Sequence, residues 1–353
     1  MEYRVLVIGG GIAGMEASAF MSDMGFGVTL IERKNKLGGH LLDWEKLFPT
    51  MRLGSEVLDF LHQGVDDKVD IKCNTEVISF NRIGDKFEIE LNNSEKLTVD
   101  AVLVTTGYDI FDAVRKEEYG YGIYDNVITS ADLEKMFCEN REILTSNGNK
   151  PQKIGFVHCV GSRDEKVGNV YCSKVCCVTA VKQSIELKEK FPDSEIYCFY
   201  MDLRMYGMHF EHLYKVAQEK YGIHFIRGRL SESFENQDGT IMVKVEDTLV
   251  GRPMKLNVDL LVLMVGFVPA EGTLKIGSML GLENGINGFF KTKDQHTLTN
   301  VSAIPGIFFA GTCTSPKTIT NTITDARAAA STIASYLHSH DVDKRSINEN
   351  PDK

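Results

Sequence analysis

A chain that opens "YRVLVIGGGIAGMEASAFMSDMGFGVTLIERK" has few ways to fold its first segment. Residues 3–8 form a buried-strand run whose last four residues, Val5–Ile8, are all apolar. Gly9, Gly11 and Gly14 follow in G-x-G-x-x-G spacing, Met15–Met24 has helical character, and "GVTLIE" reads as a second strand ending at Glu32. Each residue type has a physical task. Gly9 permits the tight turn, Gly11 lets the backbone approach a pyrophosphate, and Gly14 lets the helix pack on the strand. The helix N-terminus offers amide donors and a positive dipole to phosphate, and Glu32 can accept ribose hydroxyls. Strand, helix, strand and acid in that order predict a βαβ dinucleotide-binding unit, and with it an α/β fold around a parallel sheet.

The rest of the 353 residues is enough for a second domain. A formal charge of −10 argues against a nucleic-acid binder, which needs basic surface to displace counterions from phosphate. No apolar run approaches the length that crosses a bilayer, and the chain starts on a strand without a cleavable signal. The expected location is the cytoplasm, with any membrane reached only through a partner. There, clustered cysteines are read as metal ligands or redox thiols before disulfides.

Such a cluster exists. "HCVGSRDEKVGNVYCSKVCC" (158–177) holds Cys159, Cys172, Cys176 and Cys177, four of the eight cysteines. It lies in a second α/β unit that opens at "KIGFVHCVGS" (153–162) and continues through the helix-like "SKVCCVTAVKQSIELKEKF". The strand "EIYCFYM" (195–201), an amphipathic helix around "HFEHLYKVAQEKYG", and strands "IHFIRG", "IMVKVED" and "DLLVLMVGFVP" (259–269) follow. On a helix, Cys172 and Cys176 would share a face and Cys177 would point about 100° away. With Cys172 in an opened first turn and Cys159 closing the far side from the strand end, four thiolates fit a [4Fe–4S] cubane. Structural zinc prefers C-x₂₋₄-C pairs and is poorly served by adjacent cysteines. A redox dithiol would normally read C-x-x-C, which the chain lacks. Both readings stay open on the residues alone. Cys73, Cys138, Cys198 and Cys313 are scattered and read as packed thiols.

Further segments carry a resemblance. "RKNKLGGHLL" after the acid, "TEVISF" (75–80), "DAVLVTTGYD" (100–109) and "IPGIFFAGTC" (304–313) resemble, in order, stretches of the two-dinucleotide-binding-domain flavoproteins. That resemblance implies a thioredoxin-reductase-like α/β fold with FAD at the first site. The implied FAD contacts are Gly9, Gly11, Gly14, Glu32, Arg33, Gly38, Gly39, His40, Val77, Thr106, Gly107, Gly311 and Thr312. Where the family's late motif has Asp after Gly, this chain has Thr312 and Cys313, so a backbone amide or Thr312 is expected to take over the ribityl contact. In thioredoxin-reductase-like enzymes the inserted domain binds NAD(P)H through its own glycine turn. Here "CVGSRD" keeps only Gly161, and the nicotinamide site is expected to be lost.

The cysteine stretch, with "GGH", "LFPTM" (47–51) and "GTCTSPKTITNTITDARAAA" (311–330), closely resembles the heterodisulfide reductase A subunits, whose signature is C-x₁₂-C-x₃-C-C. The resemblance implies one [4Fe–4S] cluster on Cys159, Cys172, Cys176 and Cys177. It also matches Lys182 to a lysine near the flavin N5, against the alternative of an exposed helix lysine. The ferredoxin-type motifs and the cysteines after "FPT" of the long methanogen forms do not occur here. The chain looks like the short form, related to subunits of sulfur oxidation and of quinone-interacting oxidoreductase complexes.

The expected organisation is an FAD domain in two parts (1–110 and 266–337), a connector (111–150), an inserted degenerate NAD-type domain with the cluster (151–265) and a flexible tail (338–353). The function implied is an electron-transfer subunit joining two-electron flavin to one-electron iron–sulfur chemistry, with B- and C-type iron–sulfur subunits as partners and a homodimer expected. A stand-alone NAD(P)H-dependent flavin disulfide reductase is the alternative, and a non-catalytic flavin-bearing scaffold a third.

Overall fold

The structure, a computed structural model, describes residues 3–349. The chain divides into two compact units. Unit 1 comprises Met1–Leu42, Ser55–Asp109 and Val268–Lys353, and unit 2 comprises Asp43–Gly54 and Ile110–Phe267.

Unit 1 is built on a five-stranded parallel sheet in the order Ile307–Phe309, Ala101–Val104, Arg4–Ile8, Gly27–Ile31, Asp70–Lys72. Ala101–Val104 and Ile307–Phe309 are buried at every position, as strands covered on both faces must be. One cover is the pair of helices Ile12–Asp23 and Ile319–Glu349, which meet through small residues and are tied by Arg327 Nε to the buried Glu16 carboxylate. On the other, Phe87, Ile89 and Leu91 of an antiparallel three-stranded sheet share one apolar core with Leu6, Ile8, Val102 and Val104.

Unit 2 repeats this layout with different residues. Its parallel sheet runs Val127–Thr129, Leu260–Val265, Lys153–Val160, Glu195–Tyr200, His224–Arg227. Taking Arg4–Ile8 as the first strand of the winding in unit 1 and Lys153–Val160 as that in unit 2, the first strand is followed by a helix and a second strand beside it, then a third. A three-stranded antiparallel meander comes next, and the chain returns on a strand at the first strand's other side. In unit 2 that meander is Leu230–Glu235, Ile241–Asp247 and Arg252–Val258. The first strand therefore lies at the point where strand order reverses, and its C-terminal end opens on a crevice. Unit 1 places Gly9 there, and unit 2 places Cys159.

The α/β, thioredoxin-reductase-like architecture expected from the sequence is the one observed. The structure differs from the expected organisation in three places. Residues 111–150 supply unit 2 with its edge strand Val127–Thr129 and the helix Ser130–Cys138, the latter started by a Thr129–Asp132 capping box. The segment Asp43–Gly54 belongs to unit 2. The backbone of 338–349, expected as a flexible tail, continues the last helix to Glu349, because nothing in "HSHDVDKRSINE" breaks it. Residues 350–353 of that tail lie outside the described residues.

Candidate functional site

In unit 1 the expected cofactor residues gather at the C-terminal ends of the sheet strands. Gly9 has φ +112°, and a Cβ there would come 2.5 Å from the Thr105 carbonyl oxygen. A Cβ on Gly14 would run into the Gly9 carbonyl, so helix and strand can touch only without one. Gly11 and Gly39 face each other closely enough that a Cβ on Gly39 would lie 3.1 Å from the Gly11 Cα. Gly11 is also the N-cap of helix Ile12–Asp23, and no side chain caps it. A glycine-walled cleft ending on an uncapped helix N-terminus fits a pyrophosphate.

The acid is more occupied than its predicted role suggests. Glu32 Oε2 accepts from Gly10 N at 2.7 Å and Oε1 from Lys34 N at 2.8 Å. The carboxylate thus shapes the glycine turn and keeps lone pairs for hydroxyl donors. Arg33 is exposed, the Val77 side chain sits in the core, and Thr106 bonds Thr273 at 2.7 Å. His40 stacks on Tyr108 with ring centroids 4.4 Å apart, and its Nε2 lies 2.8 Å from the Tyr108 carbonyl. Gly107 faces Thr312, whose Oγ1 is 3.8 Å from the position of a Gly107 Cβ. Two residues of this late motif escaped sequence reasoning. Gly311 N donates to Asp325 Oδ2 at 2.8 Å, and Lys317 Nζ donates to the Gly311 carbonyl at 2.7 Å. The Gly311 amide is therefore committed to Asp325.

In unit 2 the four cysteines lie around a strained loop. The register of Lys153–Val160 slips between Val157 and Val160, and Cys159 within this bulge has φ +60°. Bulges re-aim side chains, and left-handed non-glycine residues cost about 1–3 kcal/mol each. Arg163 (φ +54°) and Lys174 (φ +66°) add to that strain. The expected helix start is corrected here. Lys174 in the left-handed region cannot be helical, so the helix runs Cys176–Lys190 and Cys172 stands in the preceding loop. Cys172 and Cys176 are thus not successive positions on one helix face.

The loop is held from below. Asp164 Oδ2 accepts from Lys116 Nζ at 2.7 Å and from Arg229 Nη2 at 2.8 Å, the first pair being fully buried. Ser162 Oγ donates to Tyr171 O, accepts from Ser173 N at 3.0 Å, and Ser173 Oγ accepts from Phe267 N at 2.9 Å. Phe111 underlies Gly161, where any side chain would strike the ring.

Cys159, Cys176 and Cys177 are buried and Cys172 is half-buried. A shared Cys176 proton favours thiolate on both neighbours. Cys159 falls to about 7, chiefly through its hydrogen bond with Cys176. Cys177 falls to about 4 through Cys176 and the His158 imidazole, while Cys176 itself is pushed well up. Burial disfavours the His158 imidazolium, yet the sulfurs of Cys177 and Cys198 carry it to about 10. Neither ring nitrogen has a well-aligned hydrogen bond. Lys174 N donates to Cys172 Sγ at 3.3 Å. Among the described residues no three His, Cys, Asp or Glu side chains converge on the position of a single ion. A cubane takes one thiolate per iron. Four thiols from a strand end, a loop and a helix start, two of them (Cys159 and Cys177) favoured as thiolate and one (Cys172) accepting a peptide N–H, fit that donor set in their chemistry. Cys198 and Cys313 are buried as packed thiols, Cys73 is half-buried and Cys138 is exposed.

Lys182 is fully buried, which overturns the exposed-lysine reading. Its Nζ bonds Glu134 Oε1 and Oε2 at 2.5 and 2.8 Å, pairs with Glu186 Oε2 at 2.8 Å, and lies over the Trp44 ring. Gln183 Nε2 also donates to Glu134, at 2.7 Å. Burial lifts the Glu186 carboxyl to about 7, against the pull of Lys182. A carboxyl raised in the folded state contributes stability that is full below its ordinary range near 4.5 and lost as pH rises through about 7. Glu186→Gln is therefore expected to remove that slope. Its stability relative to the parent should improve by up to about 3 kcal/mol between pH 4 and pH 8, read from urea midpoints at the two pH values.

The family profile described as pyridine nucleotide-disulphide oxidoreductase matches residues 1–129. Two relatives are A subunits of heterodisulfide reductases. With that of the H(2):CoB-CoM heterodisulfide,ferredoxin reductase of Methanothermobacter thermautotrophicus the chain is 31% identical, with 95% of this chain and 64% of that protein covered. With that of the H(2)/formate:CoB-CoM heterodisulfide,ferredoxin reductase of Methanococcus maripaludis it is 42% identical, over 67% of this chain and 37% of that one. It thus spans just under two thirds of the length of the first of these relatives and about a third of the second. Among solved structures, the thioredoxin reductase of Lactococcus lactis is similar at a TM-score of 0.66 and 19% identity, covering 96% of this chain and all of that one. The thioredoxin reductase of T. acidophilum is similar at 0.63 and 18%, covering 96% and 99%. No described helix is long and apolar enough to cross a membrane. The chain is similar in sequence to the heterodisulfide reductase A subunits and has the fold seen in thioredoxin reductase.

Proposed function

We propose that the chain is the FAD- and [4Fe–4S]-bearing electron-transfer subunit of a heterodisulfide-reductase-like complex in cytoplasmic sulfur or disulfide metabolism. The observation that carries this reading is the pairing of sites at equivalent places in two similarly wound units. Where unit 1 has the glycine turn after its first strand, unit 2 has Cys159 and the loop to Cys172, Cys176 and Cys177. When bound, a flavin exchanges electrons in pairs and a [4Fe–4S] cluster singly, so together they connect the two kinds of chemistry.

The chain's own residues have separable roles. Gly9, Gly11, Gly14 and Gly39 clear the path for the pyrophosphate and helix Ile12–Asp23 supplies its amides. Glu32 receives ribose hydroxyls, while Arg33, Gly38, His40, Val77, Thr106, Gly107, Gly311 and Thr312 border the rest of FAD. Cys159, Cys172, Cys176 and Cys177 hold the cluster. Lys182 is the lysine assigned to the flavin N5 by resemblance. Its buried pairing with Glu134 and Glu186 would fix its position and charge. Unit 1 would be the FAD domain, and unit 2 carries the cysteines. B- and C-type iron–sulfur subunits, and a second copy of the chain, complete the assembly.

The nicotinamide reading fares worse because the loop after Lys153–Val160 is filled by buried side chains and ionic ties instead of a glycine turn. NADH or NADPH should leave the flavin oxidised in an anaerobic stopped-flow mix, whereas dithionite bleaches it. Cys176→Ala should keep its flavin and lose its iron. Rapid bleaching by either nucleotide, with iron absent from the parent chain, would support a stand-alone reductase instead.

A further inference from the structure

The short turn Gly311–Cys313 in unit 1 is held by a pair of opposite charges. Gly311 has φ +78°, and a Cβ there would lie 2.7 Å from the Ala13 Cβ. The turn is thus pressed against the first turn of helix Ile12–Asp23, whose N-terminus ends the glycine cleft. Side chains from later in the chain take both backbone polar groups of Gly311. Its N–H donates to Asp325 Oδ2 at 2.8 Å, and its carbonyl accepts from Lys317 Nζ at 2.7 Å. Lys317 Nζ also donates to Thr314 Oγ1 at 2.6 Å and lies 3.4 Å from Asp325 Oδ2, with both charged side chains only 15% exposed. Buried Asn300 completes the arrangement, its Nδ2 donating to Asp325 Oδ1 at 2.9 Å and to the Phe309 carbonyl at 3.0 Å. Taking two charges out of water is costly, and what the pair secures here is the geometry of one glycine.

We propose that Asp325 is a positioning residue of the FAD site, which acts with Lys317 as one clip that sets the Gly311–Thr314 turn before the cofactor arrives. This rests on the reading of unit 1 as the FAD domain. A turn fixed beforehand loses no freedom on binding, so the clip would tighten FAD without touching it. Aspartate suits the task because both of its oxygens accept from N–H groups, Gly311 on one and Asn300 on the other. An asparagine of the same shape cannot replace it, since one end of its amide is a donor and would face a donor. Lys317 offsets the carboxylate and pins the carbonyl side of the same residue, so losing either partner opens the turn.

The test uses the full chain purified with its flavin, as parent, Asp325→Asn, Lys317→Met, the double variant and Lys317→Arg. The rise of flavin fluorescence on dilution gives the rate of FAD release. Visible circular dichroism reports the surroundings of the bound flavin, and the far-ultraviolet signal reports the fold. Asp325→Asn and Lys317→Met should each release FAD about tenfold faster and alter the visible signal, with the far-ultraviolet signal unchanged. The double variant should be no faster than the quicker single one, because the two residues act as a unit. Lys317→Arg, which keeps the charge and the donors, should stay close to the parent. Release within about twofold of the parent in both single variants overturns the assignment. Effects that multiply in the double variant overturn the clip as a unit. FAD lost together with far-ultraviolet signal in both single variants makes the pair a general prop of the fold and overturns it as well. A parent chain that binds no FAD overturns the underlying reading, and that result is visible without any variant.

Discussion

Replacing Lys182 with Met lowers the stability of unit 2 by about 3–5 kcal/mol at pH 8, the usual cost of stranding a buried charge. Two carboxylates lose their common partner, Glu134 at 3% and Glu186 at 5% exposure. Gln183 still serves Glu134, but Glu186 has no well-aligned hydrogen bond of its own. The loss should shrink by about half at pH 5.5, because Glu186, already raised to about 7 by burial, then takes up a proton and one of the stranded charges disappears. Chemical denaturation at the two pH values measures this. An equal loss at both would mean that packing of the lysine stem over Trp44, and not charge, sets the cost.

Replacing Gly14 with Val is expected to yield a chain without flavin. The new Cβ would occupy the place of the Gly9 carbonyl and lie 2.9 Å from Thr105 Oγ1. Thr105 Oγ1 itself donates to the Gly9 carbonyl at 2.8 Å, so the contact propagates into the turn that passes the pyrophosphate. The helix must move off the sheet, and its N-terminal amides leave the cleft with it. The ratio of flavin to protein absorbance after gel filtration gives the result, and far-ultraviolet circular dichroism shows whether the rest of the α/β fold survives. Full flavin retention would remove helix Ile12–Asp23 from the proposed pyrophosphate site.

The first βαβ unit was legible because its signals are local. A doubly buried strand, three glycines with steric tasks and an acid at the end of the second strand all lie within one stretch. The strands of unit 2 were legible for the same reason, and "IMVKVED" is observed from Ile241 to Asp247 as read. What local signals could not show is pairing across distance. The sequence separation of 48 between Glu134 and Lys182 hides the ion pair that buries the lysine, although the i,i+4 spacing of Lys182 and Glu186 hinted at half of it. The helix start at Cys176 was missed because a positive φ at Lys174 is imposed by the tertiary fold of the loop. Asp325 and Lys317 lie inside the quoted stretch 311–330 but were missed because their bonds to Gly311, from helix Ile319–Glu349 and from the segment before it, depend on how that stretch folds back.

A two-electron and a one-electron centre on one chain would show most directly in the cofactor content of protein purified without oxygen. Iron, acid-labile sulfide and flavin are assayed together, and EPR is recorded before and after dithionite. About four irons and four sulfides with one FAD per chain, and a reduced-state signal absent from Cys176→Ala, is the predicted result. One FAD with no iron, or one zinc per chain in its place, would contradict it.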